Sequence, residues 1–278
     1  MPLSHTSYGK SRIRLVQVSR RGDRHDLRDL TVAVRFEGDY DTSYTEGDNR
    51  DVLPTDTMKN TVYALAARER VREPEAFGIA LGKHFLDRNP RLHKVQVEVA
   101  EHGWGHISVG DREHGQAFVR RGPETRTARV TTEAGHVAVT SGVADLVILK
   151  SSQSAFAGFP RDEYTTLPDT HDRLLATSLT SSWIYRNEEV DFGPSWRAVR
   201  AALLEAFANH DSLSVQHTLH GMGQAVLETV DAVQQITLVM PNRHHLPVDV
   251  SKFGLENRNE IFVATEEPHG LIEATLSR

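Results

Sequence analysis

Ser154 to Arg173 concentrates the side chains that could do chemistry: Ser-Ala-Phe-Ala-Gly-Phe-Pro-Arg-Asp-Glu-Tyr-Thr-Thr-Leu-Pro-Asp-Thr-His-Asp-Arg. These twenty residues hold two Phe, two Pro, one Gly and six formally charged residues, with no helical or strand period. Long irregular stretches inside a domain are usually functional or disordered. The aromatic, alternating-sign composition predicts an ordered loop lining a polar pocket, with Phe156 as a flat apolar surface and Arg173 as a planar cationic fork. The competing reading is a surface loop whose charges are solvated.

Four shorter runs place polar groups where elements begin or end. Tyr8-Gly9-Lys10 precedes a strand, and a single lysine there is ordinarily solvated. Pro54-Thr55-Asp56-Thr57 precedes an apolar helical face. Thr55, Asp56 and Thr57 all suit a helix N-cap, and the same helix start suits an anionic ligand through its unpaired N–H groups. Ser214-Val215-Gln216 is similar: Ser214 suits the cap, and Gln216 can donate and accept in one plane. Pro241-Asn242-Arg243-His244-His245 ends a strand at a turn signal, where a His pair is either structural or a metal fragment. His93, His102, His106 and His114 raise a metal site. The two glycines of His102-Gly-Trp-Gly-His106 argue against a helix, and no carboxylate or third ligand sits at recognisable spacing, so no metal is expected.

Ser-x-Phe-x-Gly-Phe-x-Arg-Asp-Glu-Tyr-Thr-Thr-Leu followed by Asp-Arg resembles the signature stretch of the urate oxidases (uricases). Further matches run from Tyr8 to Arg278, including Thr55-Asp56, Pro241-Asn242-x-His244, Lys252-Phe-Gly-Leu-Glu-Asn and Pro268-His-Gly-Leu-Ile-Glu-Ala-Thr. The resemblance implies cofactor-free oxidation of urate by O2 and water to 5-hydroxyisourate and hydrogen peroxide. It assigns a proton relay to Lys10, Thr55 and His244. It assigns urate binding to Thr55, Asp56, Phe156, Arg173, Val215, Gln216 and Asn242. In that scheme Arg173 and Gln216 grip opposite edges of the purine, Phe156 stacks on it, backbone N–H groups of Asp56 and Val215 serve carbonyl oxygens, and Asn242 with Thr55 holds O2 or water. A homotetramer with sites shared between subunits is also implied.

The elements that must position these groups follow from periodicity. Arg12 to Val18 reads as a strand whose alternation slips after Leu15, as at a bulge. Leu30–Phe36 and Val95–Val99 alternate cleanly. Thr57 to Arg70 and Glu75 to Arg88 carry helical stripes, the second after Pro74 at a first-turn position. Strands are expected at Gln116–Arg120 and Arg126–Thr140, with a hairpin turn within Thr131–Gly135. The second half repeats the order: strands at Val143–Leu149 and Leu174–Tyr185, helices opening at Pro194 and near Ser214, then strands at Gln234–Met240 and Glu260–Thr265. Gly221 and Gly223 in the last helix predict close packing. The fold class is therefore α+β, with units at 1–140 and 141–278, each an antiparallel four-stranded sheet with two helices on one face. Exposed sheet edges call for pairing between subunits. The resemblance makes these two tandem tunnelling-fold (T-fold) units in a tetramer enclosing a β-barrel tunnel.

The 278 residues, 38% hydrophobic and 25% charged, have an ordinary globular composition with net charge −6. That balance does not advertise nucleic-acid or membrane binding. The absence of cysteine excludes disulfides, thiol nucleophiles and Cys-based metal centres. No apolar signal core opens the chain, and Leu-Ser-Arg stands where a peroxisomal Ser-Lys-Leu could, which sets the expectation of a bacterial cytoplasm. The rival readings are another T-fold enzyme handling a purine or pterin, and a non-catalytic purine-binding protein.

Overall fold

The computed structural model describes residues 3–186, 189–265 and 267–278. The chain forms two compact units, Met1–Gly142 with Ile184–Pro194 and Val143–Trp183 with Ser195–Arg278.

In the first unit, β1 (Tyr8–Arg21), β2 (Arg24–Gly38), β3 (Leu92–Val109) and β4 (Arg112–Glu133) lie side by side, antiparallel throughout, with β5 (His136–Lys150) next to β4. A short helix α1 (Asp41–Thr45) precedes α2 (Thr55–Arg68) and α3 (Pro74–Arg88). The helical stripes are those the periodicity predicts. Met58, Val62 and Leu65 of α2 and Phe77, Leu81 and Phe85 of α3 join one core with alternate residues of β2 and β3, Leu30 to Phe36 and Val95 to Val99. The β4–β5 turn is Ala134-Gly135, tight enough to need the positive φ that Gly135 supplies (+75°).

The slip expected in β1 is corrected. Ile13 and Leu15 face inward and Val16 and Val18 outward, so alternation holds through this stretch. Valines on the outer face imitate a slip. The bulge falls earlier, between Lys10 and Ile13, where Arg12 takes φ +56°. Strand β4 also runs continuously through the gap left between the two expected segments.

In the second unit, the rest of β5 neighbours β6 (Leu175–Tyr185), then β7 (Val233–Arg243) and β10 (Gly270–Ser277). Helix α4 (Phe192–Asn209) starts two residues before Pro194. Helix α5 (Val215–Thr229) lies on β7 and β10. Gly223 makes this possible, since a Cβ there would come within 2.8 Å of Leu276. A second correction concerns the last strand. Glu260–Thr265 does not complete the sheet; its core, β9 (Phe262–Ala264), pairs instead with β8 (His245–Pro247). The sheet is completed by β10, antiparallel to β7 from Gly270–Asn242 to Ser277–Gln235. In β10 the half-buried Ile272, Ala274 and Leu276 alternate with exposed Leu271, Glu273 and Thr275, a period-2 pattern present in the sequence but left unassigned.

One buried ionic network braces the first unit. Glu75, fully buried on α3, accepts from Arg126 Nη2 and from Ser141 Oγ, each at 2.6 Å, and Tyr185 donates to Ser141 at 2.8 Å. Arg126 also pairs with Glu73 at 2.6 Å. Removing one member of such a pair strands a buried charge. Glu75→Ala is therefore expected to destabilise the fold by about 3 kcal/mol, read as a lowered urea midpoint. A loss below about 1 kcal/mol would mean that Glu73 alone suffices for Arg126.

Candidate functional site

The loop Ser154–Arg173 is irregular but stapled. Phe156 and Thr170 exchange backbone hydrogen bonds of 2.7 and 2.9 Å, and Arg161 pairs with Asp169 at 3.3 Å. Asp169 also accepts from the Gly158 N–H, Asp162 from Tyr164 N–H and Thr165 Oγ, and Asp172 from Gln153 N–H. Most of the alternating charges therefore hold the loop in shape. Arg173, like the exposed Glu163, is not among them. Its backbone N–H bonds Ser154 O at 2.8 Å, but its guanidinium makes no ion pair among the described residues, and its buried Nε has no acceptor. Burial lowers its pKa from the ordinary value. Its Cζ lies 5.5 Å from the centroid of Phe156. One face of Phe156 is stacked on Phe159, at 4.9 Å and 12°.

The same loop is sewn to the start of α5. Ala155 N–H donates to Ser212 O at 2.7 Å and Ser212 N–H to Gln153 O at 3.0 Å. Ser212 Oγ accepts from Thr218 at 2.7 Å and donates to Ser214 O. Ser212 and Thr218 were not singled out from the sequence; two buried hydroxyl residues flanking a cap are the signal that could have found them. Ser214 caps α5 as expected, accepting from His217 N–H at 3.1 Å. This leaves Val215 and Gln216 in the first turn, where N–H groups lack helical partners and the helix dipole is positive. Phe156, Arg173 and the Val215–Gln216 turn are thus tied together by backbone bonds within the second unit.

Asn242 stands one residue before the end of β7, paired with Gly270, and its Nδ2 lies 3.5 Å from Nδ1 of His244. The His244 carbonyl accepts from Thr265 N–H at 2.9 Å, which fixes the turn after the strand. His245 instead turns to the Arg243 carbonyl, 3.1 Å away.

In the first unit the bulge in β1 decides where Lys10 points. Lys10 stands opposite Val34, a core residue, so both side chains leave the same face of the sheet. Three positions apart, Lys10 and Ile13 would fall on opposite faces of a regular strand; the bulge brings them to one. Tyr8, on the same face, packs into the core with Phe36 and Tyr40, at 5.7 and 5.1 Å. Val52 and Leu53 pack against that core too and lead into α2. The capping expected of Thr55, Asp56 or Thr57 is corrected: Pro54 is the N-cap and no side chain caps the helix. The reason is that the helix begins one turn position earlier than a hydroxyl cap would set it. The Asp56 carboxylate is held below its ordinary pKa by hydrogen bonding to Lys59, with Asn60 and, more weakly, the charge of Lys10 adding to it. The side chain is thereby turned to its own helix, and the open group of Asp56 is its backbone N–H.

Lys10, Thr55 and Asp56 belong to the first unit, and Phe156, Arg173, Val215, Gln216, Asn242 and His244 to the second. The histidines weighed as metal ligands have other partners: His93 Asp39, His102 Thr31, His106 the His114 carbonyl, and His114 the Gln116 N–H. Among the described residues no group of three or more His, Asp or Glu is placed to hold a metal ion.

The chain thus combines an α+β frame with a guanidinium that has no ion pair among the described residues, an aromatic ring beside it and two helix starts. The uricase family model matches residues 6–131 and 139–273. The uricase of Arthrobacter globiformis is 42% identical over 276 residues, 99% of this chain and 90% of that protein. The uricase of Emericella nidulans is 36% identical over 287 residues, 98% and 95% of the two chains. The crystal structure of the Arthrobacter globiformis uricase matches with a TM-score of 0.95, covering 100% of this chain and 95% of that one. The chain belongs to the uricase family.

Ser214→Ala removes the cap from the turn that carries Val215 and Gln216. It is expected to cost about 1 kcal/mol and to speed amide exchange at residues 215–218. Unchanged exchange there would show that the Ser212–Thr218 bond holds the turn by itself.

Proposed function

We infer that this chain is a urate oxidase, an oxidoreductase that passes two electrons from urate to O2, giving 5-hydroxyisourate and hydrogen peroxide with water as the added oxygen source. The observation that carries the site is Arg173: a half-buried guanidinium without a protein anion, beside an aromatic ring and an open helix start. Such a group is stable when a bound anion supplies the missing partner.

Urate is flat, acidic and electron-rich. In the proposed site its ring stacks on Phe156, whose ring lies beside Arg173. Arg173 makes two parallel hydrogen bonds to one edge, and Gln216 pairs with the opposite edge. N–H groups of Asp56 and Val215 take the carbonyl oxygens, where negative charge grows as the ring loses a further proton. Lys10, Thr55 and His244 form the relay that carries that proton away from the ring. Asn242 and Thr55 position O2 or water over the ring.

Three of these residues come from the first unit and six from the second. We place the working site between subunits of a homotetramer. Support comes from the outermost strands: among the described residues β1 and β10 each have a hydrogen-bonding edge without a partner strand, and the fourteen residues of β1 make a long one.

Chelator-treated protein incubated with urate is expected to consume it and release one peroxide per urate. A protein that binds urate without consuming oxygen would be a binding protein instead. Arg173→Gln removes two charge-assisted bonds and should lower kcat/KM roughly 100-fold or more; Arg173→Lys keeps the charge, loses the fork and should still lose roughly tenfold. Near-normal activity in the lysine variant would remove the two-bond role. Lys10→Ala and Arg173→Ala, each weak alone, are expected to regain activity when mixed under subunit exchange. Mixtures that keep the rates of the separate variants would reject the shared site.

A further inference from the structure

We propose that a second anion site lies in the first unit and takes a nucleoside triphosphate. A cleft of about 660 Å³ is bounded by the β1–β2 turn, the connection from α2 to α3, and the facing stretches of β3 and β4. It contains none of the residues proposed for urate. Its size is that of a site for one small molecule.

The lining is strongly basic: Arg21, Arg24, Arg28, Arg70, Arg72 and Arg121 against two acids, Asp26 and Glu73. The acids are already engaged. Glu73 holds Arg126 at 2.6 Å, and Asp26 lies 3.9 Å from Arg21. Arg24 pairs with Glu113 at 2.9 Å and Arg28 with Glu101. Arg70, Arg72 and Arg121 make no ion pair among the described residues. Arg121 is close enough to Glu113 to help lower its pKa, whereas Arg70 and Arg72 have no anion beside them among the described residues; three guanidinium forks lining one cleft match the several phosphate groups of a polyphosphate, which accept paired N–H bonds.

The backbone that carries these forks is held in place, while the Arg70 and Arg72 side chains are exposed. Gln17 donates to Ala66 O and accepts from Val71 N–H at 3.0 Å, which pins the connection carrying Arg70 and Arg72 to β1. Val71, between them, is buried. Arg121 lies against the backbone of β3 at Gly105, where a Cβ would come within 2.7 Å of its Nε. The remaining wall is aromatic. Phe118 packs with His106 at 4.6 Å, and Trp104 is fixed by its Nε1–H to Asp29 at 3.0 Å. Flat apolar groups beside phosphate-binding forks suit a base linked to a phosphate chain. A long nucleic acid fits less well, because the chain as a whole carries a net charge of −6 and would repel it.

The test is calorimetric titration of the intact protein at low salt with ATP, with inorganic tripolyphosphate and with a single-stranded RNA oligomer. ATP should bind saturably, one per chain, and weaken as salt is raised. Tripolyphosphate should bind at least threefold more weakly for want of a ring. The exposed pair Arg70→Gln/Arg72→Gln should weaken ATP at least tenfold while urate turnover and circular dichroism stay as in the parent. Arg173→Gln should leave ATP binding unchanged, which separates this site from the one proposed for urate. The proposal is overturned by an absence of saturable ATP binding, by equal affinity in the double variant, by equal affinity for tripolyphosphate, by displacement of ATP with urate, or by RNA binding more tightly than ATP.

Discussion

A guanidinium withdrawn from water without a carboxylate beside it is the constraint around which this protein is arranged. In the loop from Ser154 to Arg173 the aspartates that could have paired with Arg173 are turned elsewhere: Asp169 to Arg161 and Gly158, Asp172 to Gln153, Asp162 to its own turn. Arg161, Asp162, Asp169 and Asp172 give the loop a fixed shape, in which Arg173 has no ion pair among the described residues. Phe156 beside it and the first turn of α5, joined through Ser212, add an apolar face and outward N–H groups.

The two units do this work with the same elementary device, a helix start held against a sheet by a buried stripe. In α5 the start is capped by Ser214, so its first-turn geometry is fixed while Val215 and Gln216 stay open. In α2 it is left uncapped behind Pro54, and the Asp56 side chain is drawn to Lys59, so N–H groups are again what the helix offers. Buried side chains such as Met58, Leu65, Leu219 and Val226 fix where those starts lie. The site chemistry thus depends on ordinary core packing, since a helix start displaced by an ångström would lose its hydrogen-bond geometry.

Much of this was legible beforehand. Leu30 to Phe36, Val95 to Val99 and the stripes of the four long helices follow from period alone, because one face of each element must be buried. The cap at Ser214 and the turn at Gly135 follow from local backbone demands. Other features were misread for identifiable reasons. Val16 and Val18 looked inward because valine is apolar, although their face of β1 is exposed. Glu260–Thr265 looked like the final strand, while the weaker alternation of Gly270–Ser277 forms it. Thr55, Asp56 and Thr57 all had capping chemistry, and none of them caps.

The sequence by itself determined the family, the α+β class and the identity of the candidate residues, since these depend on residue type, spacing and period. Only the tertiary structure decided which face of β1 carries Lys10, because one extra residue at a bulge reverses the pleat and no local pattern marks it. Only the tertiary structure separated Arg173 from the loop's other charges, because whether a charge has a partner depends on neighbours brought together by folding. The basic cleft beside Arg70, Arg72 and Arg121 is of the same kind: its arginines are scattered along a hundred positions, and only the packing of turn, linker and hairpin makes them one surface.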